Sequence, residues 1–332
     1  MAASFREERY DEIPYRRSGA SGLMLPAVSF GLWHNFGDAD DFSNMRRMCR
    51  FAFDHGVTHF DIANNYGPPP GSAERNFARI VKEMPRDELI ISTKAGYYMW
   101  PGPYGDGGLR KHLIASCDQS LKRTGLDYFD IFYHHRPDPE TPVEETMAAL
   151  EQLVRQGKAL YAGISNYKGD PSARAAKTML KLSAGRAPIL INQIRYNMLQ
   201  REYGESVLPV AKRIGMGVIV YSPLAQGLLT DRYFRGVPRS SRAARGRFLK
   251  RERITQAYLS QARALNEIAK ARGQTLAQMS LSWLLRDPRV TSVLIGASST
   301  RQIEDNLKSV ARLDFTPAEL KRIDRLCKPG RS

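Results

Sequence analysis

Residues 88–135, ELIISTKAGYYMWPGPYGDGGLRKHLIASCDQSLKRTGLDYFDIFYHH, contain two short apolar segments joined by an amphipathic one. The outer segments, 88–96 and 128–135, are nearly continuous in apolar and β-branched residues, which is typical of strands buried on both faces. Between them, apolar residues recur at every third or fourth position, and this pattern stops at Gly125, a common helix C-cap. A strand, a helix and another strand in this order predict two parallel strands with the helix packed on one face.

The same alternation of short apolar segments and helical patterns extends along the whole chain of 332 residues. A (β/α)8 TIM barrel, which is an α/β fold, fits the number of strands and the chain length, and we expect one barrel domain over residues 1–332. A doubly wound sheet would instead need a glycine-rich GxGxxG turn after an early strand, and no such turn occurs. The predicted strands are residues 27–33, 57–63, 88–96, 128–135, 159–165, 189–195, 217–223 and 291–297.

Three additions to the basic barrel are predicted. Residues 15–26, YRRSGASGLMLP, resemble an N-terminal hairpin that closes the bottom of the barrel. Residues 254–273 and 275–287 have helical patterns and supply two helices between the seventh and eighth strands. A long basic loop, 224–253, precedes them, so we expect extended loops at the carboxyl-terminal face.

Composition excludes several classes of protein. The N-terminal residues lack the apolar centre of a signal peptide, and no later apolar run is long enough to cross a bilayer, so we expect a cytoplasmic protein that does not enter a membrane. Cys49, Cys117 and Cys327 are far apart and form no CxxC pattern, which argues against a disulfide framework and against a thiolate metal site. No metal site is predicted.

The formal net charge of +16 favours encounters with anions such as nucleic acids, phosphorylated metabolites or nucleotide cofactors. Basic residues crowd the segment 232–253 without the aromatic interleaving of surfaces that bind single strands. Two interpretations of this segment stay open, a solvated basic loop and a loop that holds phosphate. A nucleic-acid binder would need an exposed basic face separate from any cofactor groove.

Polar side chains follow the predicted strands at the points where they end. Asp61 lies at the end of the second strand, Tyr66 in the loop after it, Lys94 near the end of the third and His135 at the end of the fourth. In a β/α barrel these strand ends share one face, where the chemistry takes place. A phenol has a pKa of about 10, which a nearby ammonium lowers while a carboxylate keeps the ammonium charged. The pattern predicts a tuned proton donor, although Asp61 and Lys94 alone would also suit a structural ion pair.

Seven segments resemble, in order, the consecutive signatures of the aldo-keto reductases and cover nearly the whole chain. Within that family they are most similar to the branch that contains the potassium-channel β-subunits and the bacterial L-glyceraldehyde 3-phosphate and methylglyoxal reductases. The segments are FDIANNYG (60–67), ISTKAG (91–96), YFDIFYHHRPDPETPVEET (128–146), YAGISNY (161–167), INQIRYN (191–197), YSPLAQGLLTDRY (221–233) and LIGASSTRQIEDN (294–306).

The resemblance implies roles for the polar residues at the strand ends. Tyr66 would be the general acid in carbonyl reduction, with Lys94 and Asp61 as its tuning pair. Alignment on the HRPD segment makes His135 the residue that orients and polarises the carbonyl oxygen. His134 would point to the other side of an extended strand, so we expect a structural role for it.

The resemblance also implies NADP(H) as the cofactor, bound in an extended form without a Rossmann unit. Many relatives carry an arginine for the 2′-phosphate where Gln302 stands, and an amide cannot replace its bidentate contact, although the neighbouring Arg301 is basic. The expected cofactor-binding residues are Trp33, Ser165, Asn166, Gln193, Tyr221, Ser222, Leu224, Gln226, Gly227, Arg232, Arg242, Gly296, Ser298, Gln302, Asp305 and Asn306.

Trp33, Tyr97, Trp100 and Arg195, together with Tyr104, are expected at the substrate mouth, although the aromatic residues also suit packing of a glycine-rich loop and Arg195 a contact within the protein. The expected activity is NADPH-dependent reduction of a small aldehyde, with a small carbonyl compound as the partner, no nucleic acid, no membrane and a homo-oligomer as one possibility. The alternative is a regulatory or redox-sensing subunit that binds NADP(H) and turns over slowly. Channel-type relatives typically carry asparagine in place of His135, which favours the enzyme.

Overall fold

The eight predicted strands form a closed parallel barrel in the computed structural model, which describes residues 5–239, 241–246 and 249–327, without the side chains of Arg242 and Arg245. Neighbouring strands pair in chain order and the last pairs with the first, so the predicted (β/α)8 fold is confirmed. The strands are β1 (Tyr15–Arg17) and β2 (Met24–Pro26) of a separate hairpin, then β3 (Val28–Gly31), β4 (His59–Asp61), β5 (Ile90–Ala95), β6 (Phe129–His134), β7 (Ala159–Ser165), β8 (Ile189–Arg195), β9 (Gly217–Tyr221) and β10 (Ser292–Ile295) of the barrel.

An α-helix follows each of the first six barrel strands, and the two helices predicted between the last two strands are present. Two of the helices end at Gly125 and Gly215, whose φ angles of 67° and 71° lie in the left-handed region that glycine adopts easily. The helices are α1 (Phe42–Asp54), α2 (Ser72–Val81), α3 (Arg110–Thr124), α4 (Val143–Arg155), α5 (Gly169–Leu182), α6 (Glu202–Ile214), α7 (Arg242–Arg245), α8 (Gln256–Ala271), α9 (Leu276–Leu285), α10 (Thr300–Leu307) and α11 (Pro317–Cys327).

The predicted hairpin covers the amino-terminal end of the barrel. Strands β1 and β2 pair antiparallel, and the amide of Ala20 in their turn donates to the carbonyl of Gly215, just before β9. Leu25 is fully buried and packs with Ile131 and Ile219 inside the barrel. The hairpin therefore closes the bottom of the barrel, as the sequence predicts.

The side of the barrel interior formed by β3, β4 and β5 is polar. Ser29, His59 and Ser92 are completely buried there. His59 Nδ1 lies 2.9 Å from Ser29 Oγ, and His59 Nε2 lies 3.0 Å from Ser92 Oγ. Burying such groups is costly unless they are hydrogen-bonded, so these three side chains support one another.

Cys49, Cys117 and Cys327 are buried and unpaired, in agreement with the sequence analysis. Burial raises the pKa of the Cys117 thiol to about 12, which keeps it protonated and unreactive. Among the described residues, no group of histidine, cysteine and acidic side chains is arranged to hold a metal ion. Within the same ranges, the helices are too short or too polar to cross a membrane.

Candidate active site

A cavity of about 970 Å³ opens where the barrel strands reach their carboxyl ends. Its volume is at the upper end of the ~300–1,000 Å³ typical of ligand pockets. Of the predicted catalytic residues, Asp61, Tyr66 and His135 line it. It is also lined by every predicted cofactor-binding residue whose side chain is described, namely Trp33, Ser165, Asn166, Gln193, Tyr221, Ser222, Leu224, Gln226, Gly227, Arg232, Gly296, Ser298, Gln302, Asp305 and Asn306. The side chain of Arg242 lies outside the described residues.

Lys94 lies behind the cavity wall and connects Asp61 to Tyr66. Its Nζ forms an ion pair with Asp61 Oδ2, donates to the carbonyl of Ile62 at 2.8 Å and lies 3.2 Å from the phenolic oxygen of Tyr66. The side chains of Lys94 and Asp61 are completely buried. Three polar groups from two separate segments of the chain therefore meet within hydrogen-bonding distance at Lys94.

Asp61 accepts two further hydrogen bonds inside the barrel. Ser92 Oγ donates to Asp61 Oδ1 at 2.6 Å, and Gln193 Nε2 donates to the same oxygen at 3.1 Å. Because the parallel strands alternate inward and outward, Asp61, Ser92 and Gln193 all face the barrel axis. The carboxylate is thus fixed by contacts from β5 and β8 as well as by Lys94.

Tyr66 reaches this cluster from the turn after β4. Its amide donates to the carbonyl of Ala63 at 3.0 Å, and its carbonyl accepts from the amide of Ala73 at 3.3 Å, so the turn is tied to the start of α2. Gly67 has a φ of 141°, and a Cβ at this position would lie 2.1 Å from Ser72 Oγ. Only glycine therefore lets the chain turn directly after the phenol.

The pKa of Tyr66 differs in direction from the sequence-based expectation. Burial, and then the negative charge of Asp61, raise the pKa of the phenol well above its usual value of 10.0. Burial likewise lowers the pKa of Lys94, and the Asp61 carboxylate opposes this. Desolvation is the largest cause, because Tyr66 is only 9% exposed. The phenol is therefore held in its protonated form.

The two adjacent histidines have different surroundings. The ring of His135 lies edge-on to Tyr97, with centroids 4.7 Å apart, and faces the cavity. Burial and the neighbouring positive charge of Lys94 hold its pKa well below 6.5, so the imidazole is neutral at neutral pH. His134 faces away from the barrel axis, where its Nδ1 lies 2.7 Å from the hydroxyl of Tyr167. This outward position agrees with the structural role expected for His134.

Four of the expected cofactor-binding residues, on β7, β8 and β9 and in the loop after β7, form a connected hydrogen-bond network. Ser165 Oγ donates to the carbonyl of Gln193 at 2.9 Å, and Asn166 Nδ2 donates to the carbonyl of His135 at 3.0 Å. The hydroxyl of Tyr221 donates to Asn166 Oδ1 at 2.7 Å. These contacts fix the planes of the amide and of the Tyr221 ring in the cavity wall.

Two helix N-termini border another part of the cavity. The start of α9 contributes Thr275, which forms a capping box with Gln278. The start of α10 contributes Arg301 and Gln302. Gln302 Oε1 accepts from the amide of Ser298 at 2.9 Å, so this side chain is engaged within the protein. Helix N-termini favour anions because their first amides point outward.

The residues expected at the substrate mouth divide into two groups. Trp33, Tyr97 and Arg195 line the cavity, and Trp33 stacks on Tyr66 with centroids 5.9 Å apart. Trp100 and Tyr104 are not among the lining residues. Trp100 instead packs on His112, with centroids 4.9 Å apart, so it holds the glycine-rich loop against α3. The loop-packing interpretation therefore fits Trp100 better than a substrate contact.

Some lining residues are absent from the sequence-based set. Asn65 lines the cavity, and its Oδ1 is buried without a hydrogen-bond partner among the described residues. Asn35 also lines it and donates through Nδ2 to the carbonyl of Ala297 at 2.9 Å. Asn65 could have been predicted to line the cavity because it directly precedes Tyr66 in the chain. Asn35 and the start of α9 could not, because they reach the cavity only through the folding of long loops.

Comparisons with known proteins agree with this geometry. Residues 27–328 match the model of the Aldo/keto reductase family. The chain is 54% identical over 326 residues to L-glyceraldehyde 3-phosphate reductase of Escherichia coli strain K12, covering 96% of this chain and 93% of that protein.

Two further relatives carry a different description. The chain is 36% identical to a putative voltage-gated potassium channel subunit beta of Schizosaccharomyces pombe, covering 98% of this chain and 96% of that protein. It is 35% identical to a probable voltage-gated potassium channel subunit beta of Arabidopsis thaliana, covering 94% of this chain and 96% of that protein. The barrel, the site and these similarities together establish that the chain belongs to the aldo/keto reductase family of oxidoreductases.

Proposed function

We propose that this protein reduces small aldehydes to alcohols with NADPH and that Tyr66 donates the proton. The observation that carries the proposal is the position of Lys94 Nζ, 3.2 Å from the Tyr66 hydroxyl and paired with Asp61, at a cavity that His135 also lines. These four side chains supply a proton, a counter-charge for the anion left behind and a donor to the carbonyl oxygen. General acid catalysis of carbonyl reduction needs these three functions.

The chemistry of the cavity wall fits a nicotinamide dinucleotide. The buried Oδ1 of Asn65 needs a donor, which a ligand with polar edges supplies. The first turns of α9 and α10, with Arg301 beside them, suit phosphate groups. We favour NADPH over NADH because Arg232 and Arg301 both line the cavity and a 2′-phosphate adds negative charge. When bound, NADPH supplies the hydride.

The protein's own groups act on the carbonyl oxygen. Tyr66 gives its phenolic proton to that oxygen as negative charge develops there, and the ammonium of Lys94 stabilises the phenolate that remains. The neutral imidazole of His135 orients the oxygen without competing for the proton. Asp61 keeps Lys94 charged and aimed, and the phenolate regains a proton from solvent as the alcohol leaves.

Arg195 supports a phosphorylated aldehyde as the substrate. Its side chain lines the cavity at the end of β8, is exposed and lies over the Tyr221 ring, 5.7 Å from the centroid. A guanidinium in this position suits a phosphate at the far end of a three-carbon aldehyde. The relative from Escherichia coli is named for L-glyceraldehyde 3-phosphate, which has this form. Methylglyoxal, an uncharged small aldehyde, is the second candidate.

The test is an assay of NADPH and NADH oxidation with both aldehydes, in the wild type and in Arg195→Gln. We expect turnover that is faster with NADPH. In Arg195→Gln, kcat/KM for the phosphorylated aldehyde should fall about tenfold to hundredfold, because one hydrogen-bonded contact between charged groups is lost, while methylglyoxal reduction is unchanged. Equal loss for both aldehydes would remove Arg195 from phosphate recognition. Absence of turnover with either aldehyde would contradict the proposed activity.

A regulatory or redox-sensing subunit is the second candidate, because two relatives are described as potassium channel β-subunits. The same assay separates the two functions. A slow subunit would bind NADPH tightly and oxidise it with aldehydes far below about 1 per second, the lower range of typical enzymes.

A further inference from the structure

A row of buried polar side chains continues from Asp61 into the barrel interior. Ser92 Oγ lies 3.0 Å from His59 Nε2, His59 Nδ1 lies 2.9 Å from Ser29 Oγ, and Ser29 Oγ lies 2.6 Å from Ser292 Oγ. All four side chains are inaccessible to solvent. The row therefore spans four neighbouring strands, β10, β3, β4 and β5, and ends at the carboxylate that holds Lys94.

The direction of these hydrogen bonds follows from the number of protons available. The Asp61 carboxylate only accepts, so the single hydroxyl proton of Ser92 points to Asp61 Oδ1, 2.6 Å away. Ser92 Oγ must then accept from His59 Nε2. If Nε2 carried no proton, its lone pair would face the lone pairs of Ser92.

The hydrogen bond at Nδ1, on the other side of the imidazole, can be assigned in the same way. Burial lowers the pKa of His59 to about 4, and the charged groups that face it are Asp61 on its own strand and Lys94 on β5. The ring is therefore neutral, and with a proton on Nε2 it has a lone pair on Nδ1. Ser29 donates to that lone pair and in turn accepts from Ser292. Every donor in the row points towards Asp61.

We propose that His59 is a positioning residue for aldehyde reduction, which acts as an Nε2–H imidazole through Ser92 to hold the Asp61 carboxylate against Lys94. This role rests on the proposed function of Asp61, Lys94 and Tyr66. A row of donors aligned in one direction polarises each successive hydroxyl, which strengthens the last hydrogen bond to the carboxylate. His59 contacts neither the cavity nor Tyr66 directly, so it positions other groups and does not touch the reacting atoms.

The first test is the tautomer, measured on the wild-type protein by ¹⁵N NMR of labelled histidine. We expect His59 to show a protonated Nε2 and an unprotonated Nδ1 at neutral pH, and to show the same in Tyr66→Phe. A protonated Nδ1 or an imidazolium would overturn the proposal. This measurement does not depend on turnover. It therefore tests the direction of the hydrogen bonds at His59 even if the protein does not reduce aldehydes.

The second test compares His59→Gln with His59→Asn. A glutamine amide nitrogen reaches near the position of Nε2 and can donate to Ser92, whereas an asparagine reaches only the position of Nδ1 and keeps the contact with Ser29. We expect glutamine to keep kcat within about threefold and asparagine to lower it about tenfold to hundredfold, the range for leaving one buried hydrogen-bonding group without its partner, with KM little changed. Equal activity of the two variants would contradict the proposal.

Ser92→Ala tests the connection between His59 and Asp61 without altering the His59 imidazole. It removes the donor to Asp61, so kcat should fall as in His59→Asn while binding of NADPH is unchanged. Ser183→Ala is the matched control, because Ser183 is also buried but its hydroxyl bonds only to backbone groups of Leu180 and Ala187, at and after the end of α5. If Ser92→Ala and Ser183→Ala have the same kcat, Ser92 transmits nothing to the site and the proposal fails.

Discussion

Among single residues, the charge of Lys94 matters most for the proposed proton transfer from Tyr66. Replacing Lys94 with Met keeps most of the side-chain volume but removes the ammonium that lies 3.2 Å from Tyr66. We expect kcat to fall at least about a hundredfold, since a unit charge at such a distance is worth about 4 kcal/mol at an effective dielectric constant of 20. Steady-state kinetics with a small aldehyde provides the measurement.

Lys94→Met also leaves the buried Asp61 without its partner, which is destabilising in itself. The double variant Asp61→Asn with Lys94→Met removes both charges and serves as the control for folding. If the double variant recovers stability but not turnover, the loss of turnover is due to the missing ammonium and not to unfolding. Normal turnover in either variant would contradict the role given to the ammonium.

The positions of site residues could be predicted from the sequence where the geometry of the strands determines them. The ends of parallel strands converge, which brings Asp61 and Lys94 together, and the alternation of side chains separates His134 from His135. The direction of the Tyr66 pKa was not predictable, because it depends on how deeply the surrounding loops bury the phenol. Spacing along the chain carries no information about that depth.

At the level of secondary-structure elements, the β1–β2 hairpin contributes stability through the buried side chain of Leu25. Leu25 is fully buried in the barrel interior, whereas Met24, next to it in β2, is 40% exposed. We expect Leu25→Ala to lower the free energy of unfolding by about 2–5 kcal/mol, and Met24→Ala to change it by less than about 0.5 kcal/mol. Urea denaturation of both variants measures this difference. Equal free energies of unfolding would show that the packing of Leu25 against the barrel interior does not stabilise the fold.

The elements themselves were largely predictable from periodicity. Strands buried on both faces are continuously apolar, so all eight barrel strands were identified, although the paired segments are shorter than the apolar runs, as β4 (His59–Asp61) shows against residues 57–63. Loops were not predictable to the same degree. Trp100 and Tyr97 lie in one glycine-rich loop, and only contacts with α3 and with His135 decide which of them faces the cavity.

At the scale of the whole molecule, buried neutral histidines predict instability in acid. The pKa of His59 is lowered to about 4 and that of His134 to about 3 by burial, while an unfolded histidine keeps a value near 6.5. Below pH 6.5 the unfolded chain therefore binds protons that the folded chain does not. Each such histidine should lower the free energy of unfolding by about 1.4 kcal/mol per pH unit until the pH reaches its folded-state pKa.

Denaturation with urea between pH 7.5 and 5 measures this dependence. His134→Asn keeps an acceptor near Nδ1 for the hydroxyl of Tyr167 but removes the titrating ring. We expect its stability to fall less steeply with decreasing pH than that of the wild type. Identical slopes would mean that His134 does not titrate as its burial implies.

The whole barrel brings Tyr66, Asp61 and His135 to one cavity and places Lys94 directly behind its wall. The most direct test of this account is Tyr66→Phe, which removes only the hydroxyl oxygen and its proton. Quenching of intrinsic fluorescence by NADPH should be unchanged, while aldehyde-dependent oxidation of NADPH falls by at least about a hundredfold, the lower range for loss of a general acid. Unchanged binding together with undiminished reduction would contradict the assignment of Tyr66 as the proton donor.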